Sequence, residues 1–178
     1  MMTSFASNIA TILSVIATVN PNKTLDVGSG FGKFGLLTRE LLLSIKADKE
    51  DICPKDNLTI DCAEEAEYFY KQPYHDKIYN NHWHEDVLKM PIEKINGYDL
   101  ILLIDVAEHW DKDIALDWLK KINTNVLIST PKHVVFYEKE YYKSRKHVSQ
   151  WAEEDFRNLG EINDYSTKDS FIYLKLKK

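Results

Sequence analysis

Near the start of the chain, the run Leu25-Asp26-Val27-Gly28-Ser29-Gly30-Phe31-Gly32 narrows the possible folds more than any other stretch. It reads as the end of a buried strand that turns sharply into a helix. Glycines at alternate positions remove the Cβ atoms that hold a ligand away from the backbone, and they permit backbone angles closed to other residues. The turn also leaves unpaired amides at the start of the next helix, where a polar ligand can meet them. Asp26 narrows the ligand class further. A phosphate-binding loop wants lysine and positive potential at that point, whereas a carboxylate aimed at the ligand suits a cationic group such as an ammonium. The plain alternative is a tight glycine turn that binds nothing.

The run resembles the first motif of the class I S-adenosylmethionine-dependent methyltransferases, an acidic residue followed by any residue and then Gly-x-Gly-x-Gly. The dinucleotide fingerprint Gly-x-Gly-x-x-Gly fits worse, because its third glycine falls on Lys33. A nicotinamide dehydrogenase is disfavoured for that reason.

A length of 178 residues, 44% of them hydrophobic and 29% charged, suits one soluble globular domain over residues 1–178. The net charge of −5 argues against broad, sequence-independent binding of nucleic acid, which needs many neutralised phosphates. Cys53 and Cys62 alone make no disulfide framework, so a reducing cytoplasm is the expected compartment. The apolar stretch from Phe5 to Val19 has no preceding Lys or Arg and is interrupted by Ser7, Asn8, Thr11, Ser14 and Thr18. It reads as an amphipathic helix within residues 1–20 rather than a leader or a membrane span. Phe5, Ile9, Ile12, Leu13 and Ile16 mark its apolar face.

Strands are expected over Lys23 to Val27, Leu58 to Cys62, Ile78 to Trp83, Tyr98 to Asp105, Asn125 to Thr130, Glu161 to Ser166 and Ser170 to Leu176. Leu100 to Ile104 is the clearest, a continuous apolar run typical of a central parallel strand. Helices are expected around Leu36 to Ile45, Glu64 to Tyr70, Trp110 to Ile122 and Glu153 to Leu159. The alternation predicts an α/β fold with a mostly parallel sheet, helices on both faces and binding at the carboxyl ends of the strands. The resemblance adds a Rossmann-like methyltransferase sheet of seven strands with an antiparallel last strand.

Carried over by position, the family pattern sets Asp26 and the turn Gly28, Ser29, Gly30 and Gly32 beside the methionine part of S-adenosylmethionine. A carboxylate after the second strand would accept both ribose hydroxyls. Asp61 and Glu64 both qualify, with Glu64 preferred; its plain alternative is an acid at a helix N-terminus. Asp86, with Val87 beside it, would meet the adenine. Asp105 ends the fourth strand in the same cleft and needs a partner there, since an unpaired carboxylate would be costly.

Asp105-Val106-Ala107-Glu108-His109, then Ile128-Ser129-Thr130-Pro131, then His147-Val148-Ser149-Gln150-Trp151 resemble a narrower set of methyltransferases. That set includes ubiquinone-type enzymes and those that methylate the terminal 2′-hydroxyl of small RNAs. The resemblance implies a divalent metal ion on Asp105, Glu108, His109 and His147, although Asp105 is shorter than the Glu of the RNA enzymes. Carboxylate and imidazole ligands suit manganese, iron or zinc. Two other readings stay open. His109 or His147, helped by Glu108, is a general base for a hydroxyl, or Glu108-His109 caps a helix and His147 lies on the surface.

The segment 132–150 begins with a polar insertion, Lys132 to Lys146, that mixes Phe136, Tyr137, Tyr141 and Tyr142 with Lys132, Lys139, Lys143, Arg145 and Lys146. It reads as a lid over an active site, or as a groove that stacks on bases. Together these features point to an S-adenosylmethionine-dependent methyltransferase acting on a hydroxyl of a small molecule, sugar or glycan precursor. The alternatives are methylation of an RNA 3′ end and a degenerate module that binds a cofactor or a partner.

Overall fold

The computed structural model describes residues 6–47, 57–133 and 146–178. The expected lid lies mostly outside the described residues, as does Cys53. Among the described residues no helix is long and apolar enough to cross a membrane.

Seven strands form one sheet: β1 (Lys23–Val27), β2 (Thr59–Ala63), β3 (His82–Trp83), β4 (Leu100–Ile104), β5 (Asn125–Pro131), β6 (Ile162–Asp164) and β7 (Ser170–Lys175). Their order is β3-β2-β1-β4-β5-β7-β6. The first five run parallel, while β7 lies antiparallel between β5 and β6. The expected mostly parallel sheet with an antiparallel final strand is therefore present. The chain order reverses between β1 and β4, which opens a crevice at their carboxyl ends.

Every residue of β4 is buried, and its side chains alternate between two cores. Leu100, Leu102 and Ile104 pack with α1 (Ile9–Val19) and α2 (Lys33–Lys46), through Ile12, Ile16, Phe34 and Leu42. Ile101 and Leu103 pack on the other face with α5 (Ile92–Ile95), α6 (Lys112–Lys121) and α7 (Glu153–Arg157), through Ile95, Trp118 and Phe156. Burying each such side chain stabilises the fold by ~1.5–3 kcal/mol. The continuous apolar run in the sequence thus reflects a strand covered on both sides.

Three expected elements differ. In place of a strand from Ile78, residues His75–Ile78 form a helical turn, α4, and β3 keeps only His82–Trp83. Asn80 satisfies the β2 edge instead: its amide donates to the Ile60 carbonyl and its side-chain oxygen accepts from the Ile60 amide. The helix expected from Glu64 shrinks to α3 (Glu67–Tyr70), because the Glu64 carboxylate turns back onto backbone amides. The helix expected from Trp110 begins at Lys112, where the Asp111 side chain accepts from the amides of Asp113 and Ile114.

Candidate active site

A cavity of about 590 Å³ lies at the carboxyl ends of β1, β2 and β4, within the usual range for small-molecule sites. Asp26, Gly28, Ser29, Gly30, Glu64, Asp86, Val87, Asp105 and His109 all line it. Its apolar lining includes Phe31, Phe69, Ile104 and Trp110. Six carboxylates line it from four different segments: Asp26 in β1, Glu64 and Glu65 after β2, Glu85 and Asp86 after β3, and Asp105 after β4.

The turn after β1 depends on its glycines for two reasons. Gly28 has φ +62°, and a Cβ there would stand 2.7 Å from Val106 Cγ2, so this segment packs directly on the turn. Gly32 has φ +79° and starts α2, but it does not line the cavity. A Cβ on it would stand 2.8 Å from Ile78 Cδ1, so its part is to let α2 and α4 close together.

Each acid is held differently. Asp26 is buried and accepts a 2.6 Å hydrogen bond from the Tyr79 hydroxyl. Burial pushes its carboxyl up to about 7; the Tyr79 bond opposes this, while the nearby charge of Glu64 adds to it. Glu64 accepts from the Gly30 amide through Oε2 and from the Ala66 amide through Oε1, each at 2.9 Å. Asp61, the other candidate after β2, does not line the cavity. Its carboxylate accepts from Asn81 and from the Tyr98 hydroxyl at 2.8 Å. Asp86 caps a short 3-10 turn by accepting from the Leu88 amide, and it lies 3.3 Å from Lys89 Nζ.

Asp105 is one of two described non-glycine residues in the left-handed region, with φ +53°. Such strain is common where the surrounding structure fixes a functional side chain. Its partner is Ser129, whose hydroxyl donates to Oδ1 at 2.5 Å.

On the far side of Asp105, one ligand atom from each of Glu108, His109 and His147 lies within 4.8 Å of the others. The Glu108 carbonyl accepts from the amides of Val148 and Ser149, which brings His147 over the 3-10 turn Ala107–His109. Glu108 is buried and its Oε2 has no hydrogen-bond partner. Burial and the charge of Asp105 push its carboxyl up to about 8. His109 Nδ1 lies 3.2 Å from the Lys146 carbonyl, an acceptor only, so Nδ1 carries a proton and Nε2 a lone pair. Asp105, expected as a fourth ligand, is not part of this group; its short side chain is drawn to Ser129 instead. Asp111, not Glu108-His109, caps the following helix, and His147 is buried rather than on the surface.

Sequence reasoning missed Tyr79 and His75, and it placed Ser129 in a motif without giving it a role. Tyr79 sat in a segment read as strand, and its contact with Asp26 spans 53 residues. His75 Nε2 lies 2.8 Å from the Gly30 carbonyl, so it supports the turn from behind. Trp151, the last residue of the His147–Trp151 run, is buried beside Phe156, with ring centroids 5.2 Å apart.

No protein-family model and no curated protein sequence matches the chain. Solved structures do resemble it. The methyltransferase domain of bacterial CtHen1 superposes with a TM-score of 0.60 at 18% identity, covering 96% of this chain and 97% of that one. Magnesium protoporphyrin IX methyltransferase from Synechocystis PCC 6803, solved with bound S-adenosylmethionine, gives 0.59 at 15% identity over 95% of this chain and 79% of its own. The N-terminal domain of EvdMO1, solved with S-adenosylhomocysteine, gives 0.63 at 11% identity over 98% and 83% respectively. Strand order, the glycine turn after β1 and these superpositions agree: the chain has the fold of the class I S-adenosylmethionine-dependent methyltransferases.

Proposed function

We propose that this chain transfers a methyl group from S-adenosylmethionine to a hydroxyl of a small molecule, sugar or glycan precursor. The observation that carries this reading is that Asp26, Glu64, Asp86 and Asp105, one acid at or just past the carboxyl end of each of four parallel strands, line one cavity. A donor with a sulfonium, an ammonium, a ribose diol and an adenine amino group offers each of them a partner. Asp26 faces the ammonium across the glycine turn. Glu64 accepts from the ribose hydroxyls, and Asp86 beside Val87 meets the adenine edge. The bound donor supplies the electrophilic methyl carbon; the protein aligns the acceptor and takes up one proton.

Glu108, His109 and His147 handle the acceptor side in this reading. With Nδ1 of His109 donating to Lys146, Nε2 is the acceptor of the neutral imidazole and fit to receive a proton from a hydroxyl. The same three residues fit a divalent ion, since the orphaned Glu108 Oε2 is buried among two imidazoles. Such an ion, when bound, lowers the pKa of a hydroxyl it touches. Calorimetric titration with S-adenosylhomocysteine tests the donor site, and tritium transfer from labelled donor to hydroxyl compounds tests the reaction. Binding no tighter than millimolar sinks the proposal.

A second reading, methylation of an RNA 3′ end, is favoured by the match to the CtHen1 domain over nearly its whole length. The net charge of −5 weighs against extended contact with RNA. Labelling a short RNA with a 2′-hydroxyl terminus, but not its 2′-deoxy counterpart, would favour RNA over small acceptors.

A further inference from the structure

A second group of ligating side chains lies outside the cavity, where β2, α4 and β3 meet. Cys62, His75 and His82 each bring one ligand atom within 4.8 Å of the other two, and none of them lines the cavity. Cys62 and His75 are buried, and His82 is half-buried.

Hydrogen bonding fixes how the His75 imidazole is protonated. His75 Nε2 is 2.8 Å from the Gly30 carbonyl, which only accepts, so Nε2 carries the proton and Nδ1 a lone pair. That Nδ1 is buried and has no hydrogen-bond partner among the described residues, a costly state for an interior nitrogen. On His82, Nε2 stands 3.4 Å from Asp76 Oδ1 while Nδ1 stands 3.4 Å from Cys62 Sγ. A metal-bound imidazole commonly directs its other nitrogen to a carbonyl or a carboxylate. Gly30 and Asp76 provide one of each. With zinc bonds of about 2.3 Å to sulfur and 2.0 Å to nitrogen, a tetrahedral ion separates sulfur from nitrogen by about 3.5 Å and the two nitrogens by about 3.3 Å. The 3.4 Å between Cys62 Sγ and His82 Nδ1 is already close to the sulfur–nitrogen spacing.

We propose that Cys62 Sγ, His75 Nδ1 and His82 Nδ1 form a zinc-type metal site behind the glycine turn, with a water in the fourth position. One thiolate and two imidazoles suit zinc and do not suit magnesium or calcium. Loading moves the Cys62 thiol proton to solvent as the sulfur–metal bond forms. The ion joins β2, α4 and β3, and it fixes His75, which holds the Gly30 carbonyl. The site is a brace for the donor loop and takes no part in the chemistry, so it stands or falls apart from the methyl-transfer reading.

Cobalt(II) added to the metal-free full chain tests the site by absorption spectroscopy. The expected result is thiolate-to-cobalt charge transfer in the near ultraviolet with visible bands of tetrahedral cobalt, the charge-transfer band matching one cobalt per chain in amplitude and reversed by zinc. Glu108, His109 and His147 hold no sulfur and cannot give the charge-transfer band. Cys62→Ser should lose it, whereas Cys53→Ser should keep it. His82→Ala, at a half-buried position, should weaken cobalt uptake roughly tenfold or more. Absence of the charge-transfer band in the parent chain, its persistence in Cys62→Ser, or unchanged uptake in folded His82→Ala would each overturn the proposal.

Discussion

Asp26 should make donor affinity depend on pH. Burial raises its carboxyl from an ordinary 3.8 to about 7, so at neutral pH about half of the free chain carries a proton there. A cationic donor favours the carboxylate, and the proton must leave as the donor binds. Affinity is therefore full above about pH 7 and falls about tenfold for each unit below it, while the pKa in the complex lies lower still. Between about pH 8 and pH 5 the loss approaches ~100-fold, or ~2.7 kcal/mol. Calorimetry with S-adenosylhomocysteine, which keeps the ammonium, in two buffers of different ionisation heat should show about half a proton released per donor at pH 7. Asp26→Asn preserves the shape and still accepts from Tyr79, yet it should flatten the profile and bind weakly throughout. Affinity that is level from about pH 5 to 8 in the parent chain refutes the reasoning. The same shift acts on folding with the opposite sense. An acid whose folded pKa is raised binds its proton more tightly when folded, so the donor-free chain loses stability as pH rises from about 4 to 7, by at most ~4 kcal/mol.

Gly35→Ala would put a Cβ 2.3 Å from Tyr79 Cε1, displacing the ring that holds Asp26. A loss of ~1–3 kcal/mol is expected in thermal melts, and parental stability would contradict it. His147→Ala should leave S-adenosylhomocysteine affinity nearly intact while lowering turnover by ~100-fold or more, as a removed base or ligand does; equal loss of both argues against separate donor and acceptor sides. Trp151→Ala should cost ~3–5 kcal/mol in denaturant unfolding, because the indole is buried against Phe156 and donates to the Ser149 hydroxyl. A small effect there would mean that this residue belongs to the site and not to the core.

Local pattern revealed what local physics sets. Leu100 to Ile104 reads as a central strand because both faces of it are covered, and the turn after β1 reads as a ligand loop because few other sequences tolerate its angles. β3 was not legible in the same way. Ile78 to Trp83 has strand-forming residues, but Arg39 donates to the Ile78 carbonyl and to the Asn80 side chain, tying the start of the segment to α2 from about forty positions away. Asp105 looked like a metal ligand by its place in a motif, and only the strand pairing of β4 with β5 brings Ser129 to it. Tyr79 and the Cys62, His75 and His82 group come from separate elements whose approach no spacing rule announces.

If Glu64 holds the donor ribose as proposed, it takes up that posture before any donor arrives. Both oxygens are already tethered to peptide groups, Gly30 on one side and Ala66 on the other. On that reading, the ribose would meet an arm with little rotational freedom left to surrender, so recognition of its hydroxyls would incur little ordering penalty on the protein side. Selectivity then follows from rigidity, because an arm that cannot swing to meet a misplaced oxygen discriminates between sugars by geometry alone.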